Sequence, residues 1–166
     1  MMRILIVFLI GSAPLYAVNP SMPTVTVVIP ALVQLSGLSD ISLTPTSVAS
    51  AATGATTACV YTNVLSPLGS YYVTASSLNA SSTTFRCRNG TAYVSYNAYW
   101  TTVSPAQTVT LASGVKTAQQ SGGSSSSLTC DGTPNANFNI SLTSAQVVSV
   151  APGVYTDTVT LVISPS

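Results

Sequence analysis

Along most of this chain apolar and polar residues alternate with a period of two, in short runs rich in Val, Thr, Tyr and Ile. Clusters of Gly, Pro, Asn and Ser separate the runs. A period of two sends successive side chains to opposite faces of a half-buried strand. Many such runs between turn signals predict an all-β protein, an antiparallel β-sandwich of the immunoglobulin-like kind. Only Ser144 to Val148 reads as a helical turn, and the sequence shows no internal repeat.

The sharpest local signal is Phe85-Arg86-Cys87-Arg88, followed by Asn89-Gly90 and then by Thr91 to Trp100. Asn-Gly between two alternating runs predicts a hairpin whose two central residues accept positive φ. A loop of Asn89 and Gly90 sets Arg88 opposite Thr91, Cys87 opposite Ala92, Arg86 opposite Tyr93 and Phe85 opposite Val94. Opposed residues share a face. Phe85, Cys87, Ala92, Val94, Tyr96, Ala98 and Trp100 then line a core-like face. Arg86, Arg88, Tyr93, Ser95, Asn97 and Tyr99 line the other, with Arg86 set to lie on the Tyr93 ring as a cation–π pair.

Further along, Thr56 to Asn63 and Ser70 to Ser77 read as a second antiparallel pair. Gln107 to Leu111, Phe138 to Leu142 and Tyr155 to Ser164 read as strands, and Thr117 to Ser127 as a flexible loop. In the last strand Tyr155, Val159, Leu161 and Ile163 share the apolar side. Asp157 falls on that side too, which predicts a place at the end of the sandwich, where hydrogen-bond donors meet its carboxylate.

Thr24 to Ile29 is Thr-Val-Thr-Val-Val-Ile, uncharged and strongly β-prone. Residues 18–35 have two readings. The segment is the first strand of its own domain, or a donor strand for a neighbouring subunit, with Val25, Val27 and Ile29 filling that neighbour's groove. The same alternation serves both.

The chain opens with Arg3, an apolar run from Ile4 to Ile10, and Gly11 and Pro14 before Ala17. That is the pattern of a signal peptide over residues 1–17, too short for a membrane span. The remaining residues, 18–166, suit one domain. The expected location is outside the cytoplasm, in the periplasm, at the cell surface or in an extracellular fibre, with no stable membrane insertion after cleavage.

Charge and chemistry are scarce in this domain. It carries only Asp40, Arg86, Arg88, Lys116, Asp131 and Asp157, with no His and no Glu. Enzyme mechanisms draw mostly on His, Glu, Asp, Lys and Cys, which are missing or scarce here, so the sequence predicts no catalytic residues, no cofactor and no metal site. A net charge near zero argues against nucleic acid as a partner and suits association with copies of the same chain. Exposed aromatics leave a second function, a secreted glycan- or surface-binding module, with Arg86, Tyr93 and Tyr99 as its candidate contacts.

Cys59, Cys87 and Cys130 predict one disulfide and one free thiol in an exported protein. Their spacing does not choose the pair. The core-facing position of Cys87 in the hairpin favours Cys59 with Cys130.

Five blocks resemble one family. Val33 to Ile41 resembles its "SGLDDI" opening, Ala58 to Asn63 its "ACVYSN" strand, and Tyr72 to Ser76 its "Y-x-VTA" strand. Cys130-Asp131-Gly132 with Asn135-Ala136 resembles its "C-x-G…NA" turn, and Gly153 to Leu161 its closing "G-x-YSDTLTL" strand. The family comprises small secreted bacterial β-sandwich proteins related to chaperone–usher pilin subunits and spore-coat-U-like domains. The resemblance implies a pilin-like sandwich and a structural subunit of a surface fibre, assembled by β-strand addition. Its partners would be copies of itself or sibling subunits, with a periplasmic chaperone and an usher. It also implies the Cys59–Cys130 bridge, since Cys87 stands where the family tends to have an aliphatic residue. The short N-terminal extension departs from well-studied pilins.

Overall fold

The computed structural model describes residues 24–47, 50–101 and 109–166. The signal peptide expected over residues 1–17 and residues 18–23 lie outside the described residues, as do the first two of the strand expected at Gln107 to Leu111. The strands are β1 (Val33–Ser36), β2 (Ala52–Thr62), β3 (Tyr71–Ser77), β4 (Phe85–Asn89), β5 (Ala92–Thr101), β6 (Val109–Thr110), β7 (Ala136–Leu142) and β8 (Val159–Pro165). One short helix, α1 (Ser144–Val148), falls where the sequence places it. Thr143 and Gln146 cap its first turn reciprocally, which satisfies amides that so short a helix leaves open.

The strands form two antiparallel layers, a β-sandwich. One layer runs β1-β2-β7-β5-β4, with β6 beside β4 on the same edge of β5. The other pairs β3 with β8. Between them lies a core centred on Trp100, with Val60, Tyr71, Val73, Ala75, Phe85 and Phe138 around it. The Trp100 indole N–H donates to the Tyr71 hydroxyl at 3.2 Å, and the two rings meet edge to face, 6.5 Å apart. That contact joins the layers and gives both buried polar groups a partner.

Three expectations change. The hairpin forms, but its loop is Gly90 and Thr91, so that Asn89 faces Ala92, Cys87 faces Val94 and Phe85 faces Tyr96. Gly90 alone takes positive φ, +57°, the choice made by two-residue loops with Gly at the first central position. The displaced pairing keeps every residue on its expected face, and sets the Phe85 and Tyr96 rings 5.6 Å apart.

β2 and β3 do not pair with each other. β2 lies between β1 and β7, and β3 beside β8. Ala58 and Val60 on β2, and Tyr71, Val73 and Ala75 on β3, are all fully buried. Two strands with such inward faces bury both by standing in opposite layers across the core.

The expected flexible loop at Thr117 to Ser127 is instead tied down. Thr117 N donates to Val73 O at 2.9 Å and Gln120 N to Tyr71 O at 2.8 Å, both on the edge of β3 away from β8. Ser124 N then reaches Val60 O at 2.8 Å. Ser and Gly set the local flexibility of the segment, but the unpaired edge of β3 supplies partners for its backbone.

Cys59 and Cys130 form the disulfide, with Cα atoms 5.7 Å apart, and Cys87 is free. Cys59 points outward between the inward Ala58 and Val60, so the bridge ties the Cys130–Gly132 turn to the outer side of β2. It closes a loop 71 residues apart in sequence. The chain-entropy model gives such a loop about 4 kcal/mol. Replacing both cysteines by serine should therefore lower the unfolding free energy by about this amount, read as a fall in the urea midpoint with a somewhat steeper slope, because the unbridged unfolded chain exposes more surface.

Candidate functional site

Among the described residues, β8 is paired along one edge only, by β3. Leu78 N donates to Thr158 O at 2.9 Å, so Thr158 faces that neighbour. By alternation, the backbone N–H and C=O groups of Val159, Leu161 and Ile163 face the other way. An unpaired edge of this kind is a template for another strand.

Across from this edge runs the segment 38–45. It alternates as a strand would, with Ile41, Leu43 and Pro45 half-buried and Ser42 and Thr44 exposed. It is held from the β2 side. Ser39 N donates to Thr56 Oγ1 at 2.9 Å, while Ile41 and Leu43 lie over Gly54, where a Cβ would come within 2.6 Å of each. The bare backbone at Gly54 is what lets the segment cross β2 so closely. Among the described residues no backbone hydrogen bond joins 38–45 to β8.

The gap between them is a cleft of about 860 Å³. Leu38, Ile41 and Leu43 form one wall and Val154, Tyr155, Val159 and Leu161 the other, over a floor of Cys87, Tyr96, Phe138 and Ile140. The two strands of the second layer differ accordingly. Tyr71, Val73 and Ala75 of β3 are 0% exposed, whereas the inward Val159, Leu161 and Ile163 of β8 are only half-buried. The core is closed over β3 and open beside β8.

The cleft has a polar end. Asp157 accepts the Tyr96 hydroxyl at 2.7 Å on one oxygen. Its other oxygen accepts Asn79 Nδ2 at 3.0 Å and the Asn79 amide at 3.3 Å. The acid thus sits where the sequence placed it, with donors around it. The stretch before β8 is not strand, since Thr156 instead exchanges two backbone hydrogen bonds with Arg88, at 2.8 and 3.0 Å. Burial first, and then the Asp157 carboxylate, raise the Tyr96 phenol well above the ordinary tyrosine range. Burial first and the Asp157 charge second push the Cys87 thiol up from 9.0 to about 11. Cys87 was expected inside the core, and it stands at the core's open margin, half-buried in the cleft floor.

Among the described residues, Thr24 to Leu32 belong to no strand of the domain. Val25, Val27 and Ile29 are 83%, 76% and 77% exposed. The strand ladder begins with β1 at Val33, and the last backbone tie before it is Leu32 O to Asn63 N. Of residues 18–35, Val33 to Leu35 lie in the first strand of the domain, while Thr24 to Ile29 pair with no strand among the described residues.

The candidate surface residues divide. Arg86 lies 4.3 Å from the Tyr93 ring centre and Arg88 5.9 Å from it. The Arg86 guanidinium also donates to the carbonyls of Asn79 and Ala80, at 2.9 and 3.3 Å. Tyr99 shares their face of β5 but stands six residues along, roughly 20 Å away. The structure therefore brings Arg86 and Tyr93 together and leaves Tyr99 apart. The sequence reading overlooked Ile41 and Leu43 as cleft walls. Their signal is the alternation from Ile41 to Pro45, which has the period of a strand in a stretch that none of the expected strands covers.

No family profile and no curated protein matches the sequence. A solved structure does share the fold. It is described as a chaperone–tip adhesin complex vital for synergistic activation of CFA/I fimbriae biogenesis, and one of its chains superposes with a TM-score of 0.53 at 15% identity. The match covers 81% of this chain and 41% of that one, so this chain spans about two fifths of that chain's length.

The raised thiol is testable. With its pKa raised from 9.0 to about 11, Cys87 has a thiolate fraction about a hundredth that of an ordinary cysteine near pH 8. Alkylation of the native protein should be correspondingly slow at pH 8 and should climb towards pH 11. A folded pKa above the unfolded one also means that this group's stabilisation is full below about pH 9 and is lost as pH rises through 11. Cys87→Ser should flatten that part of the stability profile, measured by urea unfolding from pH 8 to 11.

Proposed function

We propose that this chain is an exported structural subunit of a fimbria-like surface fibre, assembled by β-strand addition. The tail of one copy, or of a sibling subunit, would complete the cleft of the next. The carrying observation is the pairing of two incomplete parts in one molecule. The edge of β8 beside the cleft has no partner strand among the described residues, and the tail is a β-prone segment without a sheet.

The chemistry of the two parts agrees. The cleft offers apolar walls and unpaired backbone groups, and Val25, Val27 and Ile29 offer apolar side chains at the period of a strand. Burying one Val or Ile side chain stabilises by about 1.5–3 kcal/mol. Ordering one tail residue costs about 1–2 kcal/mol. Over the seven residues Thr24 to Pro30 the ordering cost exceeds the burial of these three side chains by a few kcal/mol. The net gain would then come from the hydrogen bonds of the β8 edge and from closing Val159, Leu161 and Ile163 off from water. Until that happens the open cleft is an aggregation hazard, which supports a periplasmic chaperone as its first partner and an usher as the place of exchange.

Other features support the same reading. The disulfide suits an oxidising compartment, and no helix among the described residues is long and apolar enough to cross a membrane. The resemblance in fold to a chain from a fimbrial complex points the same way. In this reading the protein is not an enzyme and needs no cofactor.

Deleting Thr24 to Pro30 tests it. Light scattering behind size-exclusion chromatography should show oligomers of the exported chain, and a folded monomer or a chaperone-bound domain after the deletion. Oligomers that survive the deletion, or a wild-type monomer that unfolds on losing the tail, would refute strand exchange.

A further inference from the structure

We propose that Asn63 sets the direction of the tail, and so makes a second copy of this chain, rather than the chain's own N-terminus, the occupant of the cleft. This inference rests on the strand-exchange reading above.

The geometry comes from three hydrogen bonds around one residue. Asn63 Nδ2 donates to Pro30 O at 2.9 Å. Leu32 N donates to Asn63 Oδ1 at 2.6 Å. Asn63 N donates to Leu32 O at 3.1 Å. The next pair, Val33 with Thr62, is already in the β1–β2 ladder. Asn63 therefore carries the line of β1 past the end of β2, and the tail leaves the domain along that line.

The cleft lies beyond the other end of β1. It begins at Leu38, and its wall runs over Gly54, towards the start of β2. For the chain to fill its own cleft, the tail would have to reverse between Ile29 and Val33. Reversal breaks the bonds to Asn63. It must also pass Pro30, whose ring fixes φ and holds Ile29 in the extended region. In the structure Val25, Val27 and Ile29 stay 76–83% exposed, although an apolar cleft stands open in the same molecule.

A directing device is needed because a tethered tail has a large advantage. A short flexible tether gives an effective concentration on the order of millimolar, whereas a tether that cannot span the sites gives almost none. At micromolar protein, free self-insertion would outcompete exchange by several orders of magnitude. The Asn63 side chain spends all its polar groups on the two residues where the reversal would occur. No other side chain hydrogen-bonds the tail among the described residues.

The test uses the full exported chain with Asn63→Ala, and with Asn63→Asp, which keeps the acceptor for Leu32 N and loses the donor to Pro30 O. Two quantities are read together at micromolar concentration. They are the mass by light scattering and the hydrogen exchange of the Val159, Leu161 and Ile163 amides. The wild type should be oligomeric with these amides protected. Asn63→Ala should reduce the oligomer by more than about tenfold, as a tethered strand in reach predicts, and leave a monomer whose β8 amides are still protected. Asn63→Asp should fall between the two. An Asn63→Ala chain that oligomerises like the wild type overturns the inference and leaves strand exchange standing. A monomer with fast-exchanging β8 amides also overturns it, because the substitution would then have damaged the fold without redirecting the tail. A wild type that is monomeric refutes strand exchange itself.

Discussion

The unpaired edge of β8 is the constraint on which the rest of the structure turns. Val159, Leu161 and Ile163 carry their side chains towards the core, and Val159 and Leu161 stand beside the cleft with their free backbone groups. Backbone groups must find partners, in water or in protein. Here the same residues that need hydrogen bonds also need cover for their side chains. A strand laid beside β8 meets both needs at once. A small ligand could fill the apolar space but could not extend the ladder.

The other features hold that edge open and in place. The Trp100–Tyr71 contact locks the two layers together away from the cleft, so the core does not collapse into the gap. Gly54 lets the segment 38–45 cross β2 and form a wall at strand-like spacing without reaching β8. The Cys59–Cys130 bridge anchors the outer side of β2, the strand on which this wall depends. At the far end, Asp157 engages Tyr96 and Asn79, and Thr156 bridges to Arg88. The chain is thus fixed on both layers before β8 begins. In the hairpin, Arg86 and Arg88 are drawn to Tyr93 on the outer face. The cleft walls consequently carry few of the charges that normally block pairing at an edge.

Much of the fold was legible in the sequence because alternation reports which face a side chain takes, and faces are set locally. The two faces of the hairpin, the apolar side of β8, the position of α1 and the surroundings of Asp157 all follow from that. Pairing between strands distant in sequence leaves no such local trace. Thr56 to Asn63 and Ser70 to Ser77 look like a hairpin because they are neighbours in the chain, yet their inward faces require opposite layers. Thr117 to Ser127 reads as loop because Ser and Gly hide the fact that the edge of β3 needs a partner. The loop of the hairpin moved by one residue because the Phe85–Tyr96 contact and Gly90 favour a turn other than the one Asn-Gly suggests. The cleft was legible only in halves. The tail announced itself by its β-prone, uncharged run. The unpaired edge of β8 is a property of the assembled sheets, and no single stretch of sequence encodes it.

The most direct measurement is solid-state NMR on fibres or oligomers grown from a mixture of two separately labelled pools of the intact chain, one in ¹³C and the other in ¹⁵N. The account predicts contacts between pools from Val25, Val27 and Ile29 to the cleft residues Ile41, Ile140 and Leu161. A tail that contacts these residues only within one chain, or an assembly whose intermolecular contacts lie elsewhere while the cleft stays open, would contradict it.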